Sequence, residues 1–552
     1  MLTNTTVYIL LPELILVLLA TDIYVGGAFT SARYGWDWLA ATALLLAAVA
    51  LYNQQEIDPV HGAVIAADAK GAFSGPLAVD LFGQTLRWLA LGVGLGFVAM
   101  CGKNASEGLA PEFMGSLLLI VAGLMLVAMS SDLVLMFLGL ELISIPTYVI
   151  LYLGRSDAGG QEAATKYFFL SILSSALMLY GFSFLYGAAG GSTDLHRIYQ
   201  SLHAAQAGAG DGLAALGKLA LVFIVAGLGF RLTAVPFHFY APDVYQGTSH
   251  PNAGLLAVVP KLAALAALVR IVMVAMPGLE RVGWQLALAL SILTMSVGNM
   301  LALWQSNVRR LLAYSSVAHA GYMLIGLTVG FAVAEGTPTA KNMDGVGATI
   351  FYVIVYAAAT MGSFATLTYL SSQTKQVDGV DDLAGVARSN PIAAACLAVC
   401  MFSLTGLPPL AGFWGKFTLL TGALGVSSES SVWPWFVGLV IVAVVNAAIS
   451  AGYYLRVVSV MYFRPALTTT RAEGGTGAAL CMGVCALLVI GLGFYPAPLM
   501  QQSNTAAEAA RATFGAQPAT AEPPPALGSL VPPGDSASVR AADPQQTAQA
   551  SP

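Results

Sequence analysis

The stretch Ala215–Pro236, ALGKLALVFIVAGLGFRLTAVP, decides the fold. It is apolar over the roughly 20 residues that a helix rising 1.5 Å per residue needs to cross a bilayer core of about 30 Å. Yet it carries Arg231 and Pro236 toward its end. A proline deep in a helix removes one backbone hydrogen bond and clashes with the carbonyl four residues back, so the helix is expected to break or kink at Pro236. The arrangement returns in Cys396–Phe417, CLAVCMFSLTGLPPLAGFWGKF, where Pro408 and Pro409 interrupt the run and Lys416 follows. Two interrupted membrane helices, each with a cation beside the break, are the sequence trace of an inverted repeat with ion sites at the midplane.

Outward from these segments the same ruler marks about fourteen spans. They fall near 5–24, 35–52, 77–100, 113–131, 133–153, 164–188, 213–239, 253–275, 283–304, 309–331, 347–371, 391–424, 433–462 and 476–499. With 57% hydrophobic and 9% charged residues, against about 25% charged in soluble domains, the chain reads as an all-α polytopic membrane protein. Matching spans four to eight with nine to thirteen divides it into helices 1–3 over 1–112, a first five-helix repeat over 113–275, a second, inverted repeat over 276–465, a closing helix over 466–500 and a tail over 501–552. Helices 7 and 12 are then the broken ones. Arg231 is set against Lys416 across the repeat, and Glu141 of span five against span ten, which supplies His319. After Met500 the composition turns to Ala, Gln, Pro and Ser, including Pro523-Pro524-Pro525 and Pro532-Pro533, and disorder is expected. The first apolar run lacks a positively charged flank and contains Glu13, unlike a cleaved signal peptide, so it is expected to remain as the first span.

Six ionisable residues lie inside otherwise apolar stretches: Glu141, Lys166, Arg231, Lys261, His319 and Lys416. Each costs roughly 2.5–3.5 kcal/mol at a helix centre on insertion scales, so their retention points to charge transport or to internal pairing. Glu141 stands about 12 Å along its helix, too deep to snorkel, and needs an internal partner. A hairpin would bring it near Lys166 at the start of the next span, as an ion pair that is either functional or purely structural. Lys261, beside Pro260, and Lys416 are buried amines able to carry protons. His319 stands in the polar strip Tyr314–Tyr322, where an imidazole can pass a proton between hydroxyls; a histidine merely satisfied by a neighbouring helix gives the same pattern. Lys218 can snorkel to an interface, whereas Arg87, Arg270, His238 and His250 stay open between solvent contact and function.

The five cysteines, Cys101, Cys396, Cys400, Cys481 and Cys485, form no C-x-x-C pattern and read as small buried hydrophobes, so no metal or redox cofactor is expected on this chain. The net charge of −5 is not gathered into a basic patch, which argues against a nucleic-acid partner. Sorting the loops by side gives one set with Arg33, Lys103, Arg155, Arg309, Arg310, Lys375, Arg388, Arg464 and Arg471, and another with Lys70, Arg197, Arg281 and Lys341. The positive-inside rule makes the first set cytoplasmic and leaves both termini periplasmic.

Three motifs, VPFHFYAPDVYQG (Val235–Gly247), RRLLAYSSVAHAGYML (Arg309–Leu324) and GLPPLAGFWGKF (Gly406–Phe417), resemble the antiporter-like proton-pumping subunits of respiratory NADH–quinone oxidoreductase, complex I. The likeness runs from about Leu11 to Tyr495, everything but the tail, and the lack of a large extension beyond the last helix points to the subunit N branch. The resemblance implies a membrane-arm subunit in a bacterial cell inner membrane, with one proton channel. NADH, FMN, iron–sulfur clusters and quinone would be held by other subunits. Its partners would be neighbouring antiporter-like and small membrane subunits, the lipid bilayer and protons. The family's helix-five glutamate matches Glu141, the lysine paired with it Lys166, its central lysines Lys261 and Lys416, and its helix-ten histidine His319. Position 231 departs from the family, which usually has lysine there. Two other readings share these features: a subunit of a cation/proton antiporter, and a structural scaffold whose buried charges only pair helices.

A guanidinium does not readily lose its proton in a protein, so Arg231 is expected to act as a fixed positive charge on Lys261, with Glu141 and Lys166 modulating it. Arg231→Lys should therefore leave substantial proton translocation in the assembled complex. Loss of translocation from a stable complex would refute the fixed-charge role.

Overall fold

Inside a hydrocarbon layer each backbone N–H and C=O must be paired within its own segment, a demand that helices meet. The computed structural model describes residues 4–30, 35–54, 76–102, 109–155, 157–206, 211–274, 276–337, 345–371, 377–466 and 472–515. Arg33, Lys70, Lys103, Lys341, Lys375, Arg471 and the tail from 516 onward lie outside the described residues.

The first half runs α1 (Asn4–Ile9), α2 (Leu11–Phe29), α3 (Trp36–Asn53), α4 (Leu81–Cys101), α5 (Ala110–Met129), α6 (Leu133–Gly154), α7 (Ala158–Ala188), α8 (Leu195–Gln206), α9 (Asp211–Leu232), α10 (Ala241–Gly247) and α11 (His250–Ala267), which continues into a wider π segment, Leu268–Val274. The second runs α12 (Glu280–Leu303), α13 (Val308–Ala334), α14 (Gly345–Tyr369), α15 (Val386–Ser389), α16 (Pro391–Thr405), α17 (Ala411–Leu424), α18 (Trp433–Phe463), α19 (Gly475–Phe494) and α20 (Ala497–Gly515). Among the described residues 13 helices are long and apolar enough to cross a membrane. The expected span 391–424 is two shorter helices, α16 and α17, end to end. Asp80, Asp132, Asp157 and Asn307 start α4, α6, α7 and α13 by accepting from first-turn N–H groups.

Both expected breaks are present, and both close in the same way. Thr233 N–H donates to Phe230 O (2.9 Å) and Ala234 N–H to Gly229 O (2.8 Å), with Thr233 left-handed at φ +60°. At the second break Gly406 N–H donates to Ser403 O (2.9 Å) and Leu407 N–H to Phe402 O (3.1 Å), with Gly406 at φ +93°. This crossed pair of bonds is the Schellman closure, whose left-handed position favours glycine. A β-branched threonine there is strained, and its place beside Arg231 puts that strain at the site.

Every residue of α11 is buried, while α2, α3, α18 and α19 turn Leu18, Val49, Ile441 and Leu487 outward, as lipid-facing helices do.

The expected disorder after Met500 is corrected over 501–515, which belongs to α20. Ser503, Ala506, Ala507 and Ala510 recur at i, i+3, i+4, i+7 and are 0–1% exposed, seated against α4, α14 and the π segment. Alanine is the strongest helix former, and no proline interrupts the chain between Pro498 and Pro518. The Pro-rich composition beyond that point had masked the stripe. Ala507→Asp, which buries an unpaired carboxylate at a cost of several kcal/mol, should release α20 from its seat. Limited proteolysis should then cut within 497–515 while the membrane helices stay protected; unchanged resistance would show that the seat is not needed.

Candidate functional site

The first centre forms where α9 ends. Arg231, 3% exposed, points its guanidinium across to α6 and α7. Nη2 donates to Glu141 Oε1 (3.0 Å) and Ser175 Oγ (3.0 Å); Nη1 donates to Ser144 Oγ (2.6 Å) and Leu140 O (3.2 Å). Ser175 Oγ also donates to Glu141 Oε1 (2.5 Å). Glu141 thus has an internal cationic partner, but the partner is Arg231 rather than Lys166.

The reason is register. The α6–α7 hairpin sets Tyr148 opposite Ser171, their hydroxyls 2.8 Å apart, and so sets Glu141 opposite Ser175. Lys166 lies nine residues before Ser175 on the same helix, about 13 Å along its axis. Its side chain is 40% exposed and pairs with Glu162 (2.6 Å) and Asp243 (2.9 Å). Asp243, on α10, also receives Arg310 (2.6 Å), while Arg309 pairs with Asp378 and donates to Thr248 O. Glu162, Lys166, Asp243, Arg309 and Asp378 border a polar cavity of about 370 Å³. The cavity joins the first turns of α7 to the start of α13.

The second centre lies in α11, α13, α14, α17 and α18. Lys261 is fully buried, and its Nζ has no hydrogen-bond partner among the described residues. His319 lies within electrostatic reach of both Lys261 and Lys416. Its Nδ1 is 2.5 Å from Tyr352 Oη and its Nε2 2.9 Å from Tyr454 Oη, which in turn meets Ser315 Oγ. Beside this string Tyr356 Oη meets Ser316 Oγ (2.8 Å) and donates to Ala257 O (3.2 Å), one turn before Lys261. Lys416, 6% exposed, donates from Nζ to Thr405 O (2.9 Å) and stands 4.8 Å from the centre of the Tyr322 ring. Its ammonium is thus held by a helix-end carbonyl and a π face.

Of the six sequence candidates, Glu141 and Arg231 meet in the first centre, Lys261, His319 and Lys416 gather in the second, and Lys166 sits apart at the cavity. The tyrosines were not singled out from sequence. Tyr352 and Tyr356 do stand at i, i+4 on one helix face, but tyrosine within an apolar run is equally the mark of a headgroup belt. Ser144, Ser175 and Asp243 had no local signal. Arg87 and Arg270, left open from sequence, are buried and paired. Arg87 binds Glu13 (2.8 Å) and Gln54 (3.1 Å), and Arg270 binds Asp80. Among the described residues no group of three or more His, Cys, Asp or Glu is placed to hold a metal.

A family model described as NADH:quinone oxidoreductase/Mrp antiporter, transmembrane, matches residues 130–446. The chain is 34% identical to NADH-quinone oxidoreductase subunit N of Methylobacterium nodulans, over 90% of this chain and 96% of that one. A chain of respiratory complex I from Thermus thermophilus with bound aureothin is 31% identical, with a TM-score of 0.70 over 89% of this chain and 98% of that one. A chain of the Mrp complex from Dietzia sp. DQ12-45-1b gives a TM-score of 0.73 over 91% and 99% at 20% identity, a likeness of fold alone.

Asp243 lies outside the spanning helices. Burial opposes its charge, but hydrogen bonds from Lys166 and Arg310 outweigh that and hold its carboxyl below the ordinary value. A carboxylate depressed in the folded state stabilises above its unfolded pKa, and the stabilisation is lost as pH falls through the folded one. The Lys166–Asp243–Arg310 link should therefore persist at neutral and mildly acidic pH and fail only below about pH 4. Stability of the wild type and of Asp243→Asn, followed against pH, should converge only in that range. Convergence already near pH 6 would refute the assignment.

Proposed function

The chain belongs to the NADH:quinone oxidoreductase/Mrp antiporter transmembrane family, and from that membership we infer that it is a proton-translocating subunit of type N in the membrane arm of an NADH–quinone oxidoreductase. It works in a bacterial cell inner membrane, with both termini periplasmic and the loops that bear Arg155, Arg309, Arg310, Arg388 and Arg464 cytoplasmic. NADH, FMN, iron–sulfur clusters and quinone belong to other subunits. The chain couples to them through neighbouring antiporter-like and small membrane subunits. Its internal plan is two inverted repeats, 113–275 and 276–465, that follow helices 1–3.

One observation carries the reading: a histidine whose two ring nitrogens each meet a tyrosine hydroxyl lies in reach of two buried lysines, one of them without an acceptor among the described residues. An uncompensated ammonium in a low-dielectric interior is costly, so its proton state answers to neighbouring charge. Lys261 is the group that loads and unloads, and Lys416, settled on Thr405 O, is the next station. His319 carries the proton between them by exchanging hydrogen bonds with Tyr352 and Tyr454. The polar cavity beside Lys166 and Asp243 supplies protons from the cytoplasmic side. His250, the buried first residue of α11, lies on the same helix as Lys261.

Arg231 keeps its proton, so the first centre acts by charge alone. While Glu141 lies against it the net field on the second centre is small; displacing Glu141 exposes a full positive charge. Between unit charges about 10 Å apart at an effective dielectric near 20 such a field is worth about 1.7 kcal/mol, somewhat over tenfold in a protonation equilibrium.

Lys261→Ala and Lys416→Ala, each in the assembled complex in sealed membrane vesicles, should lower the protons translocated per NADH oxidised while the complex still assembles. Full translocation from both variants would overturn the reading. Poor assembly with undiminished translocation per assembled complex would favour a scaffold, and sodium-dependent exchange without NADH oxidation would favour an antiporter.

A further inference from the structure

Lys261 is held by a helix with weak internal support. Pro260 removes the N–H that would bond Leu256 O, and Tyr356 Oη has turned in to Ala257 O (3.2 Å). Beyond Ala267 the helix widens into the π segment Leu268–Val274, a form that occurs mostly as single bulges at functional positions. Such a helix, buried along its whole length, takes its rotation from whatever grips its two ends.

The grip at the π end is Arg270, fully buried. Nη1 and Nη2 fork onto the two oxygens of Asp80, itself 2% exposed, with Nη2 at 2.7 Å from Oδ1. Nε and Nη2 also donate to Ala128 O at 3.2 and 2.8 Å, and the guanidinium carbon lies 4.9 Å from the Phe82 ring centre. Asp80 is fixed in turn as the N-cap of α4, accepting from Gly83 N–H at 2.8 Å. One side chain therefore ties the π segment to the start of α4 and the end of α5. At the opposite end Asn252 Nδ2 donates to Ile150 O (3.2 Å) and Thr248 Oγ1 (3.2 Å). Arg270 follows Lys261 by nine residues, six at about 100° each along α11 and three in the wider π segment, which sets the two on different faces of the helix. Holding Arg270 against α4 and α5 turns Lys261 toward α13 and α14, where Ser316, His319 and Tyr356 stand.

We propose that the Asp80–Arg270 pair is a positioning device for proton transfer, which sets the rotation of α11 and so aims the Lys261 amine at the tyrosine–histidine string. The proposal rests on Lys261 being a proton carrier. A guanidinium fork suits the task because it fixes direction as well as distance, which a point charge does not.

The test uses the assembled complex in membrane vesicles and reads protons translocated per NADH and their pH profile. Removing one partner leaves a buried unpaired charge, so the full deletion is the neutral pair Asp80→Asn with Arg270→Gln. The partial variant is Arg270→Lys, which keeps the ion pair and loses the fork. The neutral pair should lower translocation to the level of Lys261→Ala; Arg270→Lys should give a smaller loss and shift the pH profile. Combined with Tyr356→Phe, Arg270→Lys should cost no more than the larger of the two single losses, because both act on one alignment. If the losses multiply, or if the neutral pair pumps as the wild type does, the positioning role is overturned. Should the neutral pair fail to assemble, the cycle with Arg270→Lys decides alone. Lys261→Ala in parallel separates the two levels. Undiminished translocation there removes the functional reading itself, whereas loss there with wild-type behaviour at Asp80 and Arg270 removes only the positioning role.

Discussion

A positive charge inside a bilayer must find electron density within the protein, and this chain provides it from side chains of neighbouring helices and, for Lys416, from the end of an interrupted helix. The last carbonyls of a helix lack intrahelical donors and carry about half a negative charge between them. Ending α9 and α16 at breaks within the chain's apolar runs creates two such poles. Arg231 stands in the last turn of α9, and Tyr240 Oη donates to Phe230 O (3.1 Å), which also accepts from Thr233 N–H. Lys416 belongs to the helix after its break but reaches back to the last residue of α16. The two cations approach their breaks from opposite sides and use different acceptors: Lys416 a helix-end carbonyl, Arg231 the Glu141 carboxylate, two serine hydroxyls and Leu140 O of neighbouring helices. Lys261 has neither kind of acceptor among the described residues, and in this it differs from the other two cations.

The spans were legible because membrane thickness fixes helix length, and the breaks because proline within an apolar run has few other meanings. Partners were less legible. Glu141 demanded a cation, and both Lys166 and Arg231 were available; only the α6–α7 register, which sets Ser175 opposite Glu141, excludes Lys166. That register depends on helix starts a few residues from those expected, α7 beginning at Ala158 rather than near 164. Asp80 with Arg270 and Glu13 with Arg87 are separated by 190 and 74 residues, so nothing local in the sequence joins them. The tyrosine hydroxyls that flank His319 come from α14 and α18, and their facing direction is a property of packing. In α20 the composition of a whole tail concealed the periodicity of its first turns.

On the proposed function, the arginine at 231 divides labour between the two centres. A lysine there could both exert a field and surrender its proton, so pairing and conduction could trade places in one residue. Arg231 cannot surrender its proton, and its two terminal nitrogens are taken by Glu141, Ser144, Ser175 and Leu140 O. Whatever passes from this centre to Lys261 must then be a change of field, set by where the Glu141 carboxylate lies. Glu141 is the more exposed partner, at 20% against 3% for Arg231, and is the one free to move. A field of one or two kcal/mol has an effect only on a group whose proton is already finely balanced. The first centre therefore makes demands on the second: an amine without an acceptor, aimed at hydroxyls that can take its proton. A lysine already neutralised by a carboxylate would not respond.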